Sequence, residues 1–453
     1  MKTINLKYCL IALSLTAMVS MTACSSASDQ VTPTENTSDH SKLIMTLATA
    51  SSRADISSVD GTSSENYLSG LRVFFCDTSD KILYVVTSYD NINNPSSVVV
   101  ALNNENIPVG TYHIYIGANL SESAKSQLVA GTNILTAMGT ISDINDITAD
   151  KKFTMFGQAL NGSSSDITFS SGNTSTAAVT LNRVMAKILL TAVTDANGLI
   201  ANNDADIKVA DIKFAVLNTN SKYFFNQKLN GTAVIDPNYE MDTYMGNVSD
   251  FLNRNVDTST AYKTAQSYDD SKLSSNDAGY VSNSIYCLEN TTDVSSGFSS
   301  WTSILQHTNP MLVATHVRIS LLATPKYIDG GKAFSTVTLT DNAYYTYLRA
   351  SGAEKTLCFS SEANLRAHFG ESINSDYIQK FVTTDPFVYD VFVNGNDFDA
   401  SASGVLRNHY YVMKISSIST PYVSKTMELN TKVTSWATKG STNQTIDTSG
   451  TTN

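Results

Sequence analysis

The sequence predicts an all-β fold built from two β-sandwich domains of the transthyretin- or immunoglobulin-like Greek-key type, with a few short helices. A chain of 453 residues is too long for one ordinary domain. Its β-branched and aromatic runs are short and are separated by Asn, Gly, Pro and Ser clusters. Its 22 tyrosines suit pleated, half-solvated sheets. A hydrophobic content of 42% is sufficient for real cores and excludes a wholly disordered chain.

The strand signals fall into two groups along the chain. In the first half they cover 71–77, 81–89, 97–102, 111–118 and 177–181, and within 111–118 apolar Tyr112, Ile114 and Ile116 alternate with His113 and Tyr115. After about residue 205 the pattern repeats in "DIKFAVLN", "KYFFNQKL", "SIYCLEN", "LVATHVRISLLAT", "VYDVFVNG" and "HYYVMKISSI". Short helices are predicted at 121–131 and 360–370, each ending at a glycine. The polar, turn-rich stretch 194–206 divides the chain into domains at 42–197 and 198–423.

The N-terminus predicts an exported, lipidated protein. Lys2 and Lys7 precede an apolar run that is shorter than the ~20 residues needed to span a bilayer, which indicates a signal peptide over 1–23. Small residues before Cys24 suggest cleavage there and lipidation of its thiol, followed by a polar tether over 24–41. Ser25 favours onward transport to an outer membrane. The alternative is an ordinary signal peptide with a chance cysteine, since Met21 stands where leucine is usual.

Composition and motifs indicate a protein that is neither an enzyme nor a nucleic-acid binder. The formal net charge of -11 repels phosphate backbones. No catalytic, phosphate-binding or zinc motif is present, so neither a cofactor nor a metal is predicted. The acidic stretch 142–150 lacks the EF-hand glycine and is better explained as a solvated loop than as a calcium site. Cys76, Cys287 and Cys358 are predicted to be buried thiols, and His113 and His316 to be satisfied core or interface residues.

Four stretches together resemble the fimbrillins, the fimbrial subunits of Bacteroidales-type Gram-negative bacteria, and among them the Mfa-type subunits of short fimbriae. The stretches are "FTMFGQAL" (153–160), "AVTLNRVMAKILLTAV" (178–193), "LVATHVRISLLATP" (312–325) and "VLRNHYYVMKISSI" (405–418). Their order and spacing, with the lipidation signal, extend the resemblance over nearly the whole chain. Taken only as residues, Arg183 and Lys187 would be paired or snorkelling charges, and Arg407 and Asn408 would open a strand.

The resemblance implies a mechanism of assembly. Subunits of this family are exported as lipidated precursors, and an Arg-specific, gingipain-like protease cuts after an arginine that follows the first strand. The first strand then leaves the subunit, and a C-terminal strand from the next subunit fills the groove that the first strand occupied. The implied partners are therefore other fimbrial subunits, the maturation protease, the outer membrane through the lipid, and host or bacterial surface receptors.

Residues 42–53 match the removable first strand of that scheme. Leu43, Met45, Leu47 and Thr49 would lie on one face, and these twelve residues would extend for about 40 Å, along a whole sheet edge. The four side chains would contribute about 6–10 kcal/mol by burial. Arg53 follows, so the predicted cut lies between Arg53 and Ala54. The alternative is that Arg53 is an ordinary solvated loop residue.

The tail, residues 424–453, is predicted to supply the donor strand. Pro421 ends the preceding strand, and beyond it Met427, Leu429, Thr431 and Val433 alternate on one face. Such a strand has no obvious partner in its own fold and suits β-augmentation of a second copy. The alternative is a last strand that completes its own sheet. The family resemblance implies a Trp-centred, valine-rich ending, and of this ending the sequence contains only Val433 and Trp436.

The sequence thus predicts a structural subunit of a cell-surface fimbrium that supports adhesion. It would be made as an outer-membrane lipoprotein precursor, cleaved after Arg53 and polymerised by donor-strand exchange. A non-polymerising anchor or tip subunit of the same family remains an alternative. A glycan-binding surface lipoprotein is a second alternative, from a different class of protein.

Overall fold

The computed structural model describes residues 42–49, 58–92, 98–103, 108–230, 233–237, 251–252, 262–291, 315–393, 404–424 and 427–437. The all-β prediction is confirmed, because strands dominate these residues and the helices are short. The strands up to residue 192 are β1 (Lys42–Thr49), β2 (Ser58–Asp60), β3 (Leu68–Cys76), β4 (Ile82–Ile92), β5 (Val98–Asn103), β6 (Gly110–Ala118), β7 (Met138–Thr140), β8 (Met155–Leu160), β9 (Asp166–Phe169), β10 (Thr174–Arg183) and β11 (Met185–Ala192).

Most of the later strands are shorter. They are β12 (Ala205–Asp206), β13 (Ile212–Leu217), β14 (Thr219–Asn220), β15 (Lys222–Phe224), β16 (Lys228–Asn230), β17 (Ala233–Ile235), β18 (Phe251–Leu252), β19 (Lys263–Thr264), β20 (Gln266–Ser267), β21 (Ile285–Leu288), β22 (His316–Leu321), β23 (Thr324–Pro325), β24 (Tyr327–Ile328), β25 (Lys332–Ala333), β26 (Ala343–Tyr347), β27 (Ile378–Val382), β28 (Phe387–Phe392), β29 (His409–Ile418) and β30 (Met427–Ala437). The α-helices are α1 (Glu122–Gln127), α2 (Asn145–Thr148), α3 (Asp270–Ser274), α4 (Ala278–Ser282) and α5 (Glu362–Phe369). Single 3₁₀ turns lie at Val209–Asp211, Phe334–Thr336, Thr340–Asn342, Gly352–Thr356 and Ser375–Tyr377.

Three larger sheets organise these strands. The N-terminal sheet has the order β4-β3-β6-β8-β10-β1-β5, with β9 also paired to β6. The central sheet has the order β2-β30-β29-β11-β20, with β21 also paired to β11. The C-terminal sheet has the order β19-β13-β22-β28. The central sheet therefore joins strands from the beginning, the middle and the end of the chain.

The central sheet is buried on both faces because its successive side chains point alternately into two cores. From β11, Met185 and Leu189 belong to the first core, which also contains the buried side chains of the N-terminal sheet. Ile188 and Leu190 belong to the second core, which contains those of the C-terminal sheet. All eight residues of β11 are buried, which explains why its sequence is apolar except at Lys187 and Thr191.

The stretch 178–193 covers two strands. The chain breaks at Val184, so β10 ends in the N-terminal sheet and β11 begins in the central sheet. Val184 donates its amide to Thr154 O (3.1 Å), which satisfies the backbone at the corner. Strands commonly change sheets in this way at the corner of a sandwich. The predicted domain boundary near residue 197 comes just after β11 in the sequence. In the central sheet β11 pairs with β29, which comes after that boundary, so this sheet contains strands from both predicted domains.

The helix predicted over 360–370 is confirmed as α5, which Ser361 caps through its side-chain oxygen and Gly370 ends with a φ of 112°. The helix predicted over 121–131 is shorter: Ser121 caps α1, but α1 ends at Gln127 and not at Gly131. The strand β29 covers residues 409–418 of the motif "VLRNHYYVMKISSI", directly after Arg407 and Asn408. The left-handed φ of 57° at Asn408 is tolerated by asparagine and turns the chain into that strand.

The cysteines and histidines that the sequence singled out are held inside the fold. Cys76, Cys287 and Cys358 are free and buried, and burial raises the pKa of each thiol to about 12. His113 bonds Asp80 through Nδ1 (2.6 Å) and Asp166 through Nε2 (3.0 Å), while His316 is 1% exposed.

Asp143 and Asp146 of the acidic stretch accept hydrogen bonds from nearby backbone amides. Among the described residues, none of the helices has the length and apolar character to cross a bilayer.

Candidate functional site: the first and last strands

The first strand lies inside the N-terminal sheet. It pairs in parallel with β10 along its whole length, from Lys42 opposite Thr174 to Thr49 opposite Leu181. On its other side it pairs antiparallel with β5. The expectation that this strand lies along a sheet edge is therefore wrong, since β5 covers its outer side. Its removal would leave unpaired backbone groups on both β10 and β5, which amounts to a strand-shaped slot.

The first strand also fills part of the first core. Leu43 and Met45 are both 0% exposed, as their predicted place on one apolar face requires. Burial of these two side chains contributes about 3–6 kcal/mol. Loss of the strand would therefore expose apolar core as well as backbone, and an exposed edge of this kind readily pairs with another strand.

Three of the predicted site residues lie outside the described residues. They are the lipidation site Cys24 and the two residues of the predicted cut, Arg53 and Ala54. Arg53 and Ala54 fall between the end of β1 at Thr49 and the start of β2 at Ser58. The two strands on either side of the predicted cut thus belong to different sheets, β1 to the N-terminal sheet and β2 to the central sheet.

The last strand has partners in its own chain, contrary to the expectation that it would have none. β30 pairs antiparallel with β29, from Ile418 opposite Met427 to His409 opposite Ser435. Near its end it also pairs in parallel with β2, where Ser58 is opposite Ser435 and Asp60 is opposite Ala437. The donor role of this segment stays a prediction, and any such role requires β30 to leave the central sheet first.

The predicted donor residues point into both cores. Met427 and Leu429 are 8% and 7% exposed and lie in the second core. Trp436 is 0% exposed and lies in the first core. For Val433 only the backbone is described, opposite Tyr411 of β29. An odd and an even position of one strand face opposite ways, so β30 is anchored on both sides of its sheet.

A buried arginine holds Trp436. The guanidinium of Arg183, which is 0% exposed, donates to the carbonyl oxygen of Trp436 (2.7 Å) and lies 4.4 Å from the centre of its indole ring. Arg183 also donates to Glu65 O (3.2 Å), to Asn408 Oδ1 (3.2 Å) and to Asn66 Oδ1. Burial lowers the pKa of Arg183 to about 10, and the charge of Glu65 opposes this shift. Arg183 thus remains a cation at neutral pH, bonded to the last strand and to residues 65–66.

Glu65 supplies the negative charge of the same cluster. Its carboxylate accepts hydrogen bonds from Lys187 Nζ (2.8 Å), Tyr286 OH (2.6 Å) and Trp436 Nε1 (3.3 Å). The ring of Tyr286 stacks on the indole with the centroids 5.6 Å apart. Burial alone would raise the pKa of Glu65, but the charge of Lys187 and these hydrogen bonds outweigh it and lower the pKa to about 2.

The charge on Glu65 makes the stability of the fold depend on pH. Its pKa is about 2 in the fold and 4.5 ordinarily, so its contribution is complete above pH 4.5 and is lost as the pH falls towards 2. The difference corresponds to about 3 kcal/mol. We expect the free energy of unfolding of Glu65→Gln to fall less than that of the unsubstituted chain over this window, as measured by urea denaturation at each pH. Equal slopes for the two chains would show that Glu65 is not held as an anion.

The sequence pointed to only part of this cluster. Arg183, Lys187 and Asn408 lie in the motifs quoted above, but Glu65, Asn66 and Tyr286 were not identified. The signal at Glu65 was a capping box: Thr62 donates its amide to the carboxylate (2.6 Å), and Glu65 donates its amide to Thr62 Oγ1 (3.2 Å). That pattern predicts a local turn. It cannot predict partners more than a hundred residues away.

The solved structures that resemble this chain include the following three. A candidate cell adhesion protein from Parabacteroides distasonis ATCC 8503 is 12% identical, with a TM-score of 0.47 over 88% of this chain and 98% of its own. A fimbrilin from Porphyromonas gingivalis W83 is 13% identical, with a TM-score of 0.43 over 89% of this chain and 99% of its own. The chain is similar in structure to fimbrial proteins.

A third similar structure is the tip fimbrial protein Mfa3 from Porphyromonas gingivalis with a C-terminal truncation. It is 12% identical, with a TM-score of 0.37 over 88% of this chain and 100% of its own. No protein-family model and no curated protein sequence matches the chain.

Proposed function

We propose that this chain is a structural subunit of a cell-surface fimbrium that supports adhesion and polymerises by donor-strand exchange. The observation that carries the proposal is the position of β1, paired on both sides with its apolar face in the core. A strand placed there can be replaced by another strand without any change to its neighbours. The chemistry of assembly is then backbone pairing in trans, which needs no cofactor.

The precursor is exported, lipidated at Cys24 and held at the outer membrane. An Arg-specific maturation protease cuts between Arg53 and Ala54 and so separates β1, with the lipid, from the rest of the chain. Residues 424–439 of a neighbouring copy, which include Met427, Leu429, Val433 and Trp436, then enter the slot between β10 and β5. Because donor and slot lie on different copies, the contact repeats head to tail and builds a filament.

The burial energies of the two strands support strand exchange that begins only after cleavage. Leu43 and Met45 hold β1 in the slot with about 3–6 kcal/mol of burial. Removal of Trp436 from its core costs about 3–5 kcal/mol, judged from the truncation of buried aromatic side chains. These energies are similar, so β30 gains little by leaving its own sheet while every slot is occupied. An empty slot changes the balance in favour of exchange.

Cleavage of the purified precursor by an Arg-specific protease tests this function. We expect a ladder of polymers on a gel and a mature N-terminus at Ala54. Arg53→Ala should abolish both, because the bond that frees β1 is then resistant. Arg254→Ala is the matched control, since it removes another arginine outside the described residues and should leave the ladder intact. Ladders from Arg53→Ala would refute the processing site.

The same material separates the stalk role from the alternatives. A mature N-terminus at Ala54 in surface filaments supports a stalk subunit. A mature chain that keeps an acylated Cys24 and caps filaments would identify an anchor subunit instead. If filaments form and adhere to a surface, the receptor on that surface is the partner that remains to be identified. The net charge of -11 argues against nucleic acid as that receptor.

A further inference from the structure

The segment that follows the predicted cut pairs with the predicted donor strand. Residues 58–67, here called the clasp, contain β2 and the turn that carries Glu65 and Asn66. Among the described strands, β2 alone pairs with the outer edge of β30, while β29 pairs with the inner edge. β30 therefore cannot lie between β10 and β5 of another copy until β2 has separated from its outer edge.

The clasp is built around the two polar groups of Trp436. Arg183 donates to the Trp436 carbonyl oxygen (2.7 Å) and to the Glu65 carbonyl oxygen (3.2 Å), so one guanidinium joins the clasp to the last strand. The Glu65 carboxylate accepts the indole N–H (3.3 Å). Gly61 allows the close approach, because a Cβ there would lie 2.8 Å from Arg183 Nη2. The bond to Glu65 is specific to Trp436, since neither alanine nor an aliphatic residue offers the N–H, whereas the carbonyl oxygen that Arg183 binds belongs to the backbone.

We propose that the clasp holds β30 in its own subunit until cleavage, so that one cut both empties the slot and loosens the donor. This inference rests on the proposed function. In the uncut chain β2 is tied at both ends, to β1 through the eight residues 50–57 and to β3 through the turn. After the cut β2 becomes part of a free N-terminus. Short terminal strands fray more readily than strands anchored at both ends.

The first test loosens the clasp in the uncut chain. Glu65→Gln removes the charge that binds Lys187, Tyr286 and Trp436 and keeps the shape of the side chain. We expect backbone hydrogen exchange of β30 to rise about tenfold to hundredfold, the usual effect of a lost hydrogen bond to a charged group. Exchange of β8 and β10 should stay unchanged. Glu122→Gln, which removes an exposed pair with Lys125, is the matched control and should alter neither strand. Unchanged exchange in β30, or an equal rise in β8 and β10, would overturn the clasp.

The second test locks the clasp with a reversible bond. Ser58 and Ser435 are opposite each other in the parallel pairing of β2 and β30, and neighbouring strands lie about 4.8 Å apart, which a disulfide can bridge. The pair Ser58→Cys with Ser435→Cys should therefore prevent polymerisation after cleavage when oxidised and permit it when reduced. The buried thiols Cys76, Cys287 and Cys358 should not compete, because their pKa values are raised.

The two tests separate failure of the clasp from failure of the proposed function. If the oxidised pair polymerises as fast as the reduced pair, the clasp does not restrain β30 and the inference is wrong. If the unsubstituted chain forms no polymer after cleavage, the proposed function is wrong. The exchange measurement on Glu65→Gln still decides whether the clasp holds the last strand, because it requires no polymer.

Discussion

Trp436→Ala is expected to lower the free energy of unfolding of the uncut chain by about 3–5 kcal/mol, the range found when large buried aromatic side chains are truncated. The indole is 0% exposed, and Arg183 lies 4.4 Å from its centre. Its loss would leave a cavity beside Phe153 and Tyr286, which contact its ring. It would also remove the N–H that Glu65 accepts.

Urea denaturation of the two chains measures this effect. Trp436→Phe is the matched control, since it keeps an aromatic ring in the core and loses the N–H. We expect it to cost about 1.5–3 kcal/mol, the value of a hydrogen bond to a charged group. A loss below about 1 kcal/mol for Trp436→Ala would mean that the last strand is only loosely attached to the central sheet. The clasp would then have nothing to hold.

Met45→Asp is expected to expel the first strand from its slot without any cleavage. A carboxylate at this 0% exposed position would be a buried charge without a counter-ion, at a cost of several kcal/mol. That cost is similar to the total that Leu43 and Met45 contribute by burial. The strand should therefore spend much of its time outside the sheet, leaving β10 and β5 unpaired.

Backbone hydrogen exchange of the uncut chain tests the expulsion. We expect the β10 amides that pair with β1 to exchange faster in Met45→Asp than in the unsubstituted chain, while both chains remain monomers because the clasp is intact. Met45→Leu conserves volume and apolarity, should cost less than about 1.5 kcal/mol, and should leave these amides protected. Protected β10 amides in a stably folded Met45→Asp chain would mean that a buried charge does not expel the first strand.

The local features of the fold could be predicted from sequence because they depend on neighbouring residues. Alternation of apolar residues predicted β29 and the buried face of β1, and the Ser–Gly pattern predicted α5. The pairings of β1 and β30 could not be predicted in this way. β1 lies beside β10, whose residues come more than a hundred positions later, and nothing in either sequence specifies parallel register.

The candidate site illustrates the same limit at the level of side chains. Arg183 and Lys187 stood out as charges in an apolar stretch, which indicated that each needed a partner. The identity of Glu65 as that partner depends on the path of β2 along β30. The break at Val184, which places Arg183 at the corner between two sheets, also depends on long-range packing and has no distinct local signal.

The most direct test of strand replacement is backbone hydrogen exchange of β10, measured in three states. The states are the uncut chain, the cut chain trapped as a monomer by the oxidised Ser58→Cys and Ser435→Cys pair, and the polymer. We predict that the amides of Thr174–Leu181 that pair with β1 are protected in the uncut chain, exchange freely in the trapped monomer and are protected again in the polymer. Amides that remain unprotected in the polymer would contradict the account, because no strand would then have entered the slot.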